Sequence, residues 1–136
     1  MMNVTTRTRW ICCGVTVLLL MLAMYAEGVL AFGAYLSGFQ NTYPTSGATA
    51  AKCRVCHLGS TGGASWNNYG KDLLGAGAES ANDIAPYLIA VEPLDSDGNG
   101  VSNIVEIQKG AQPGWCDPGR AGCTNPDTPP SVLLDP

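Results

Sequence analysis

Residues 53–57 read Cys-Arg-Val-Cys-His, and this pentad organises the predicted fold. The Cys-X-X-Cys-His spacing is the attachment motif of c-type haem, in which both thiols bond the haem and the adjacent histidine binds its iron. His57 is the one histidine among the 136 residues. The pentad therefore predicts one covalent haem c, held by Cys53, Cys56 and His57.

Two closely spaced cysteines also occur in other kinds of site. A thioredoxin-like redox pair needs a surrounding βαβ pattern, which the sequence does not show. A four-ligand zinc site would have to recruit Cys116 and Cys123 from a tail rich in proline and glycine. Haem attachment is the favoured interpretation, and a redox pair, a zinc site and a local disulfide are its alternatives.

The first 31 residues have the order of a secretory signal peptide. Arg7 and Arg9 precede an apolar run over residues 10–26, and residues 29–31 are small or apolar, as a cleavage site requires. We expect a mature chain that begins at Phe32, is exported to the periplasm or the cell exterior, and has no membrane span after signal removal. A retained N-terminal anchor is the alternative, because the run is near the lower length limit for spanning a bilayer.

The composition indicates one small acidic domain. The chain has 7 Lys and Arg against 11 Asp and Glu, for a formal net charge of −4. This balance argues against a nucleic-acid partner, whose phosphates require a basic surface. The 17 glycines and few aromatic residues indicate a thin core, so a bound haem or cation should contribute to folding stability.

Residues 95–106 read Asp-Ser-Asp-Gly-Asn-Gly-Val-Ser-Asn-Ile-Val-Glu and match the calcium-loop pattern D-x-[DN]-x-[DN]-G-x5-E at each specified position. Oxygen ligands at alternating positions, a turn glycine and a final carboxylate suit Ca²⁺. The predicted ligands are the side chains of Asp95, Asp97, Asn99, Asn103 (directly or through water) and Glu106, with the backbone carbonyl of Val101. A turn without metal is the alternative, because Asp, Gly and Asn are also ordinary turn residues.

Cys116 and Cys123 are the cysteines left once the signal peptide and the pentad are set aside. In an oxidising compartment we expect them to form a disulfide that staples the Pro-rich tail, residues 113–136. A redox role is the alternative, although Arg120 is the one basic neighbour that could lower a thiol pKa there.

Short helices joined by glycine-rich turns are predicted between the motifs. The expected helices run from residue 49 or 50 to 56, from Trp66 to Leu74 with Ser65 as N-cap, from Ser80 or Asn82 until Pro93 ends the helix, and from Asn103 to Lys109 with Gly110 as C-cap. The predicted fold class is mainly α, with a single small domain over residues 32–112 and an irregular tail.

The pentad, residues 67–70 (Asn-Asn-Tyr-Gly), and residues 92–94 (Glu-Pro-Leu) running into the calcium loop together resemble single-haem c-type cytochromes secreted by some bacteria. The loop itself is similar to the calcium segments of thrombospondin type 3 repeats. The first resemblance spans about residues 32–113 and implies a small cytochrome c-like helical fold. It further implies electron transfer with redox partner proteins, and not an enzyme.

The sixth position on the iron has no ligand of the common type in the predicted mature chain. All four methionines lie in the expected signal peptide, and His57 is already used. The remaining candidates are Lys52, Lys71, Lys109, a tyrosinate, an asparagine amide, the new amino terminus and a residue of another chain. An electron carrier is therefore the first hypothesis, and an open-iron haem protein that binds a small gas or reduces peroxide is the second. For its partners, the further expectation is a homo-oligomer or a larger extracellular assembly in which the protein is a subunit.

Overall fold

The computed structural model describes residues 33–63, 65–79, 83–125 and 128–136. The chain divides into a unit of residues 1–33 and a compact unit of residues 34–136. The helices of the described residues are α1 over residues 33–42, a 3-10 helix at Gly47–Val55, α2 at Asn68–Gly75, α3 at Ala85–Val91 and α4 at Asn103–Lys109. The prediction of a mainly α fold is confirmed. The predicted signal peptide lies outside the described residues.

Helix α4 has the predicted bounds, whereas α2 starts later than predicted. Gly110 ends α4 in the left-handed conformation with φ of 80°, which glycine adopts without a steric penalty. Helix α2 is capped by Asn67, whose side chain accepts a hydrogen bond from the N–H of Gly70. Ser65 is therefore not the N-cap, because its carbonyl instead accepts the N–H of Leu58 at 2.9 Å in an extended pairing.

The helix before the pentad is a 3-10 helix with a kink. Its N-cap is Ser46, whose hydroxyl accepts from the N–H of Ala48 and donates to the carbonyl of Ile107 at 2.6 Å. Lys52 interrupts it with φ of 54° and ψ of −125°. A positive φ at a residue with a side chain is uncommon and costs free energy, so the surrounding packing must hold the kink in place.

Helix α3 begins at Ala85 with a proline in its first turn, where the missing N–H costs nothing. Ser80 and Asn82, the two start positions predicted for this helix, lie outside the described residues. Leu88 and Val91 of α3 are buried at 0% and 2% exposure, as their helical spacing predicts.

The core lies where the helices meet. Phe39 of α1 packs edge-on against Tyr43 and Tyr69, with ring centroids 5.0 and 6.4 Å apart. The buried members of this core are Phe39, Ala48, Ala51, Val55, Tyr69, Leu73, Ala78, Ile84, Leu88, Val91 and Ile107. Each large side chain among them contributes about 1.5–3 kcal/mol by leaving water.

The tail packs onto the helices without regular structure of its own. In its described residues, 113–125 and 128–136, there is no helix or strand. Trp115 is nevertheless fully buried, and its Nε1 donates to the carbonyl of Arg54 at 2.8 Å. The N–H of Gln112 donates to the carbonyl of Leu134 at 3.1 Å. The end of the chain is thus held against the domain by backbone and side-chain hydrogen bonds.

Candidate functional site

The side chains of the pentad follow one another on a single turn. The N–H groups of Cys56 and His57 both donate to the carbonyl of Cys53, at 3.3 and 3.0 Å. The kink at Lys52 immediately precedes this turn. Two thiols and an imidazole are therefore presented together by five consecutive residues.

Both thiols of the pentad are unpaired. Cys53 and Cys56 are the free cysteines of the described chain, and each is half-buried. Burial raises the pKa of the Cys56 thiol to about 12, and the neighbouring Cys53 adds to the shift. A reactive redox cysteine needs a lowered pKa, because the thiolate is the nucleophile. The raised pKa therefore gives no sign of an activated nucleophile at Cys56.

The imidazole of His57 lies against the ring of Trp66. Their ring centroids are 4.1 Å apart with an angle of 30° between the planes, and the two residues form an isolated antiparallel bridge. Within the described residues, Nδ1 of His57 is buried and has no hydrogen-bond partner. Burial lowers the pKa of His57, and the backbone carbonyls of Gly63 and Ser65 oppose this shift. A neutral imidazole with an unpartnered nitrogen is the form that binds a metal.

Asn67 connects the pentad to helix α2. It is fully buried, and its Nδ2 donates to the carbonyls of Arg54 and Val55, both at 2.9 Å. Its Oδ1 accepts from the N–H of Gly70 at 2.8 Å. A Cβ at Gly70 would lie 2.1 Å from the carbonyl oxygen of Cys56, so only glycine permits this approach of α2 to the pentad. These contacts explain the Asn-Asn-Tyr-Gly stretch, which sequence reasoning singled out only by resemblance.

We expect Asn67→Ala to destabilise the protein by about 2–4 kcal/mol, because it removes a helix cap and leaves a buried carbonyl without its partner. The matched control is Asn68→Ala on the same helix, whose side chain makes exposed hydrogen bonds to Thr124. This control should cost less than about 1 kcal/mol. Urea unfolding of the purified full chain measures both. Equal midpoints for the two variants would contradict the role given to Asn67.

The second candidate site is the loop over residues 95–106. Asp97, Asn99 and Glu106 are buried, at 0%, 6% and 0% exposure. The Nδ2 of Asn99 donates to Asp97 Oδ2 at 3.3 Å and to Glu106 Oε1 at 2.8 Å. The side chains of three predicted calcium ligands are thus brought together, with two carboxylates around the Nδ2 of Asn99.

Asp95 lies at the exposed start of the loop. Its Oδ1 accepts from the N–H groups of Gly98 and Asn99, at 2.9 and 3.1 Å, and its Oδ2 accepts from Gly100 at 2.8 Å. Asp95 therefore shapes the turn with both oxygens. Its charge also contributes to the raised pKa of Asp97.

Asn103 and Val101 make other contacts. The Nδ2 of Asn103 donates to the carbonyl of Val91 at 2.8 Å, and its Oδ1 accepts from the N–H of Ser96 at 3.2 Å. The N–H of Val101 donates to Oδ1 of Asn99 at 2.8 Å. The Asn103 side chain thus ties the start of α4 to α3 in this arrangement, and it does not join the buried carboxylates.

A residue that the sequence analysis missed completes the cluster of buried carboxylates. Asp135, from the tail, lies with Asp97 and Glu106 so that one oxygen of each is within 4.8 Å of the others. No local pattern around Asp135 signals a ligand, because it stands 29 positions after the end of the loop motif in a Pro-rich segment. We call Asp97, Glu106 and Asp135 the carboxylate triad.

The carboxylate triad is electrostatically costly without a cation. Burial raises the pKa of Glu106 to about 9, and the charge of Asp97 adds to this shift while the Asn99 amide opposes it. Burial likewise raises the pKa of Asp97 to about 7. Buried carboxylates are all negatively charged when ionised, so they repel one another, and burial also removes their hydration. A bound positive charge would therefore stabilise them.

The disulfide predicted between Cys116 and Cys123 is confirmed, with Cα atoms 5.7 Å apart. The residue that follows Cys123 contacts the calcium-loop segment, since the N–H and hydroxyl of Thr124 both donate to the carbonyl of Asp97, at 2.9 and 2.7 Å. The disulfide therefore supports the segment that carries the carboxylate triad.

No family model, curated protein or solved structure matches the chain. None of the helices in the described part of the chain has the length and apolar character needed to cross a membrane.

Proposed function

We propose that the protein is an exported c-type cytochrome that transfers electrons through one covalent haem c. One observation carries this proposal: a single turn of the pentad presents two unpaired thiols and an imidazole. Within the described residues, one nitrogen of this imidazole is buried and has no hydrogen-bond partner. This donor set fits the group, so Cys53 and Cys56 would attach it and His57 would bind its iron. When bound, haem supplies reversible one-electron chemistry at the iron.

The chain's own residues would orient and tune this centre. Trp66 packs on the His57 ring and restricts its plane. Asn67 holds the carbonyls of Arg54 and Val55, and so fixes the backbone that carries both thiols. Burial keeps the imidazole neutral by lowering its pKa. A rigid ligand set reduces the reorganisation that accompanies electron transfer.

Export is part of the proposal. The disulfide Cys116–Cys123 supports it, because structural disulfides persist in oxidising compartments such as the periplasm and the cell exterior. The signal-peptide pattern over residues 1–31 points to the same compartments. The electron donor and acceptor would be redox partner proteins in that space.

A structural Ca²⁺ in the loop over residues 95–106 is the second part of the proposal. The carboxylates of Asp97 and Glu106 are buried and both accept from the Asn99 amide, and hard oxygen ligands such as these carboxylates suit Ca²⁺. The cation would stabilise a small domain with a thin core by binding only its folded form.

An open-iron haem protein that binds a small gas or reduces peroxide is the alternative function. Lys52, Lys71 and Lys109 are all exposed, so burial holds none of these side chains in place as a further iron ligand. Tyr69 is buried with a hydroxyl that has no hydrogen-bond partner in the described chain, but burial raises its pKa and disfavours a tyrosinate. Exposed lysines and a tyrosine hydroxyl that stays protonated are weak candidates for a further iron ligand, and this supports the alternative function.

The visible spectrum of the exported, haem-loaded protein tests these functions. A low-spin spectrum that carbon monoxide does not change would support the electron carrier. A high-spin spectrum that shifts when carbon monoxide is added to the reduced protein would favour the open-iron alternative. A purified protein without haem absorption would contradict both.

A further inference from the structure

The last nine residues are held to the domain around Asp135. This residue is 8% exposed, and its Oδ2 accepts from the N–H of Asp117 at 2.7 Å. Its Oδ1 pairs with Nη1 of Arg120 at 2.9 Å. Leu134 is also 8% exposed, and its carbonyl accepts from the N–H of Gln112. Each oxygen of the Asp135 carboxylate thus has a partner that holds it in position.

With all three members ionised, the carboxylate triad has more negative charge than its partners compensate. The Nδ2 of Asn99 donates to all three members, to Asp97 at 3.3 Å, to Glu106 at 2.8 Å and to Asp135. An amide is neutral, and the one ion pair within residues that the structure describes is that of Arg120 with Asp135. Three carboxylates therefore share one guanidinium, which lies on one side of the cluster.

An unpartnered oxygen within the triad points to a missing positive ligand. Glu106 is 0% exposed, and its Oε2 is buried with no hydrogen-bond partner in the described part of the chain. Native proteins rarely leave such an atom without a partner, because burying it costs free energy. A cation bound by Glu106 would give Oε2 the partner that it lacks. This observation is independent of the clustering of acidic residues.

We propose that Asp135 is a ligand of the same Ca²⁺ as Asp97 and Glu106, so that cation binding fastens the C-terminal segment 128–136 onto the calcium loop. This inference rests on the proposed calcium site and adds to it a ligand from outside the loop motif. A carboxylate has about four acceptor positions, so Asp135 can keep its bonds to Arg120 and Asp117 while binding the cation.

Ca²⁺ is the cation that this arrangement suits. Its coordination takes 6–8 oxygen atoms in flexible geometry, whereas Mg²⁺ requires a near-ideal octahedron and retains water. The triad supplies two carboxylates from the loop over residues 95–106 and one from the C-terminal segment. A rotation of the Asn99 amide would turn its Oδ1, which now accepts from the N–H of Val101, toward the cation as a further ligand.

Calcium titration by calorimetry tests the proposal on the haem-loaded mature protein, after treatment with a chelator. Asp135→Asn should weaken Ca²⁺ binding by about tenfold or more, because it removes one charged ligand from the site. The matched control is Asp117→Asn, which removes the same charge from an exposed side chain in the same region. Its dissociation constant should change by less than about threefold, as expected for an exposed charge.

Hydrogen exchange of the wild-type protein provides a second measurement that needs no variant. Added Ca²⁺ should slow exchange at residues 131–135 and at the Gln112 amide, which donates to Leu134. If Ca²⁺ slows exchange in residues 95–106 only, or if Asp135→Asn binds like wild type, the role of Asp135 is overturned and the loop site stands. If the wild type binds no Ca²⁺, the calcium site and the role of Asp135 both fail, while the haem proposal is unaffected.

Discussion

Cys53→Ala/Cys56→Ala should abolish covalent haem attachment. Each thiol of the pentad forms one bond to the haem, so the double variant retains no covalent link. Each single variant should keep one covalent bond to the haem. The amount of haem that stays attached after denaturation should then be lower than in the wild type. The measurement is haem absorbance that stays with the polypeptide after denaturation and solvent extraction, compared with the mass of the intact chain.

The second pair of cysteines provides the control for this experiment. Cys116→Ala/Cys123→Ala removes the disulfide of the tail and leaves the pentad unchanged. This variant should be less stable but should retain covalent haem. Haem that remained attached after denaturation of Cys53→Ala/Cys56→Ala would refute the assignment of the pentad. The free thiols would then have to be assigned to one of the other sites that closely spaced cysteines form.

Removal of Ca²⁺ should lower the melting temperature of the wild type by about 10–20 °C, and Glu106→Gln should eliminate this dependence. A ligand at one hundred times its dissociation constant stabilises a protein by about 2.7 kcal/mol. For a domain of this size each kcal/mol corresponds to about 4–8 °C. Glu106 is fully buried among the acidic side chains, so its amide analogue loses the charge that the cation requires. Thermal melts in calcium and in chelator measure the effect.

The same variant should have the opposite effect when calcium is absent. In chelator, Glu106→Gln should melt above the wild type, because it removes a buried carboxylate whose pKa is raised by burial and by Asp97. In calcium it should melt below the wild type. Glu79→Gln, at an exposed position, is the control and should follow the wild type in both conditions. Identical wild-type melts with and without calcium would remove this loop as a metal site.

Local sequence was sufficient to predict several features of the fold. Helix α4 has its predicted bounds because Gly110 can end it in the left-handed conformation. The disulfide followed from counting the cysteines that remain after the pentad is assigned. In each case the deciding interaction joins residues that are close in the chain.

Other features depend on contacts between distant segments, and here the sequence analysis was wrong or incomplete. Ser65 was expected to cap α2, but its carbonyl pairs with the N–H of Leu58, and Asn67 becomes the cap. A capping preference is a matter of roughly 1 kcal/mol, which a tertiary pairing easily exceeds. The kink at Lys52 likewise has no local signal, because it depends on how the turn packs.

The sequence by itself determined the chemical groups of both candidate sites: the two thiols and one imidazole of residues 53–57, and the alternating oxygen ligands of residues 95–106. These motifs are short because a single turn or loop can position their atoms. Only the tertiary structure brought Asn67 to the backbone of the pentad and Asp135 to the carboxylates of the loop. Both contacts join segments that are far apart along the chain, and burial makes them important, since buried polar groups need partners that no local pattern specifies.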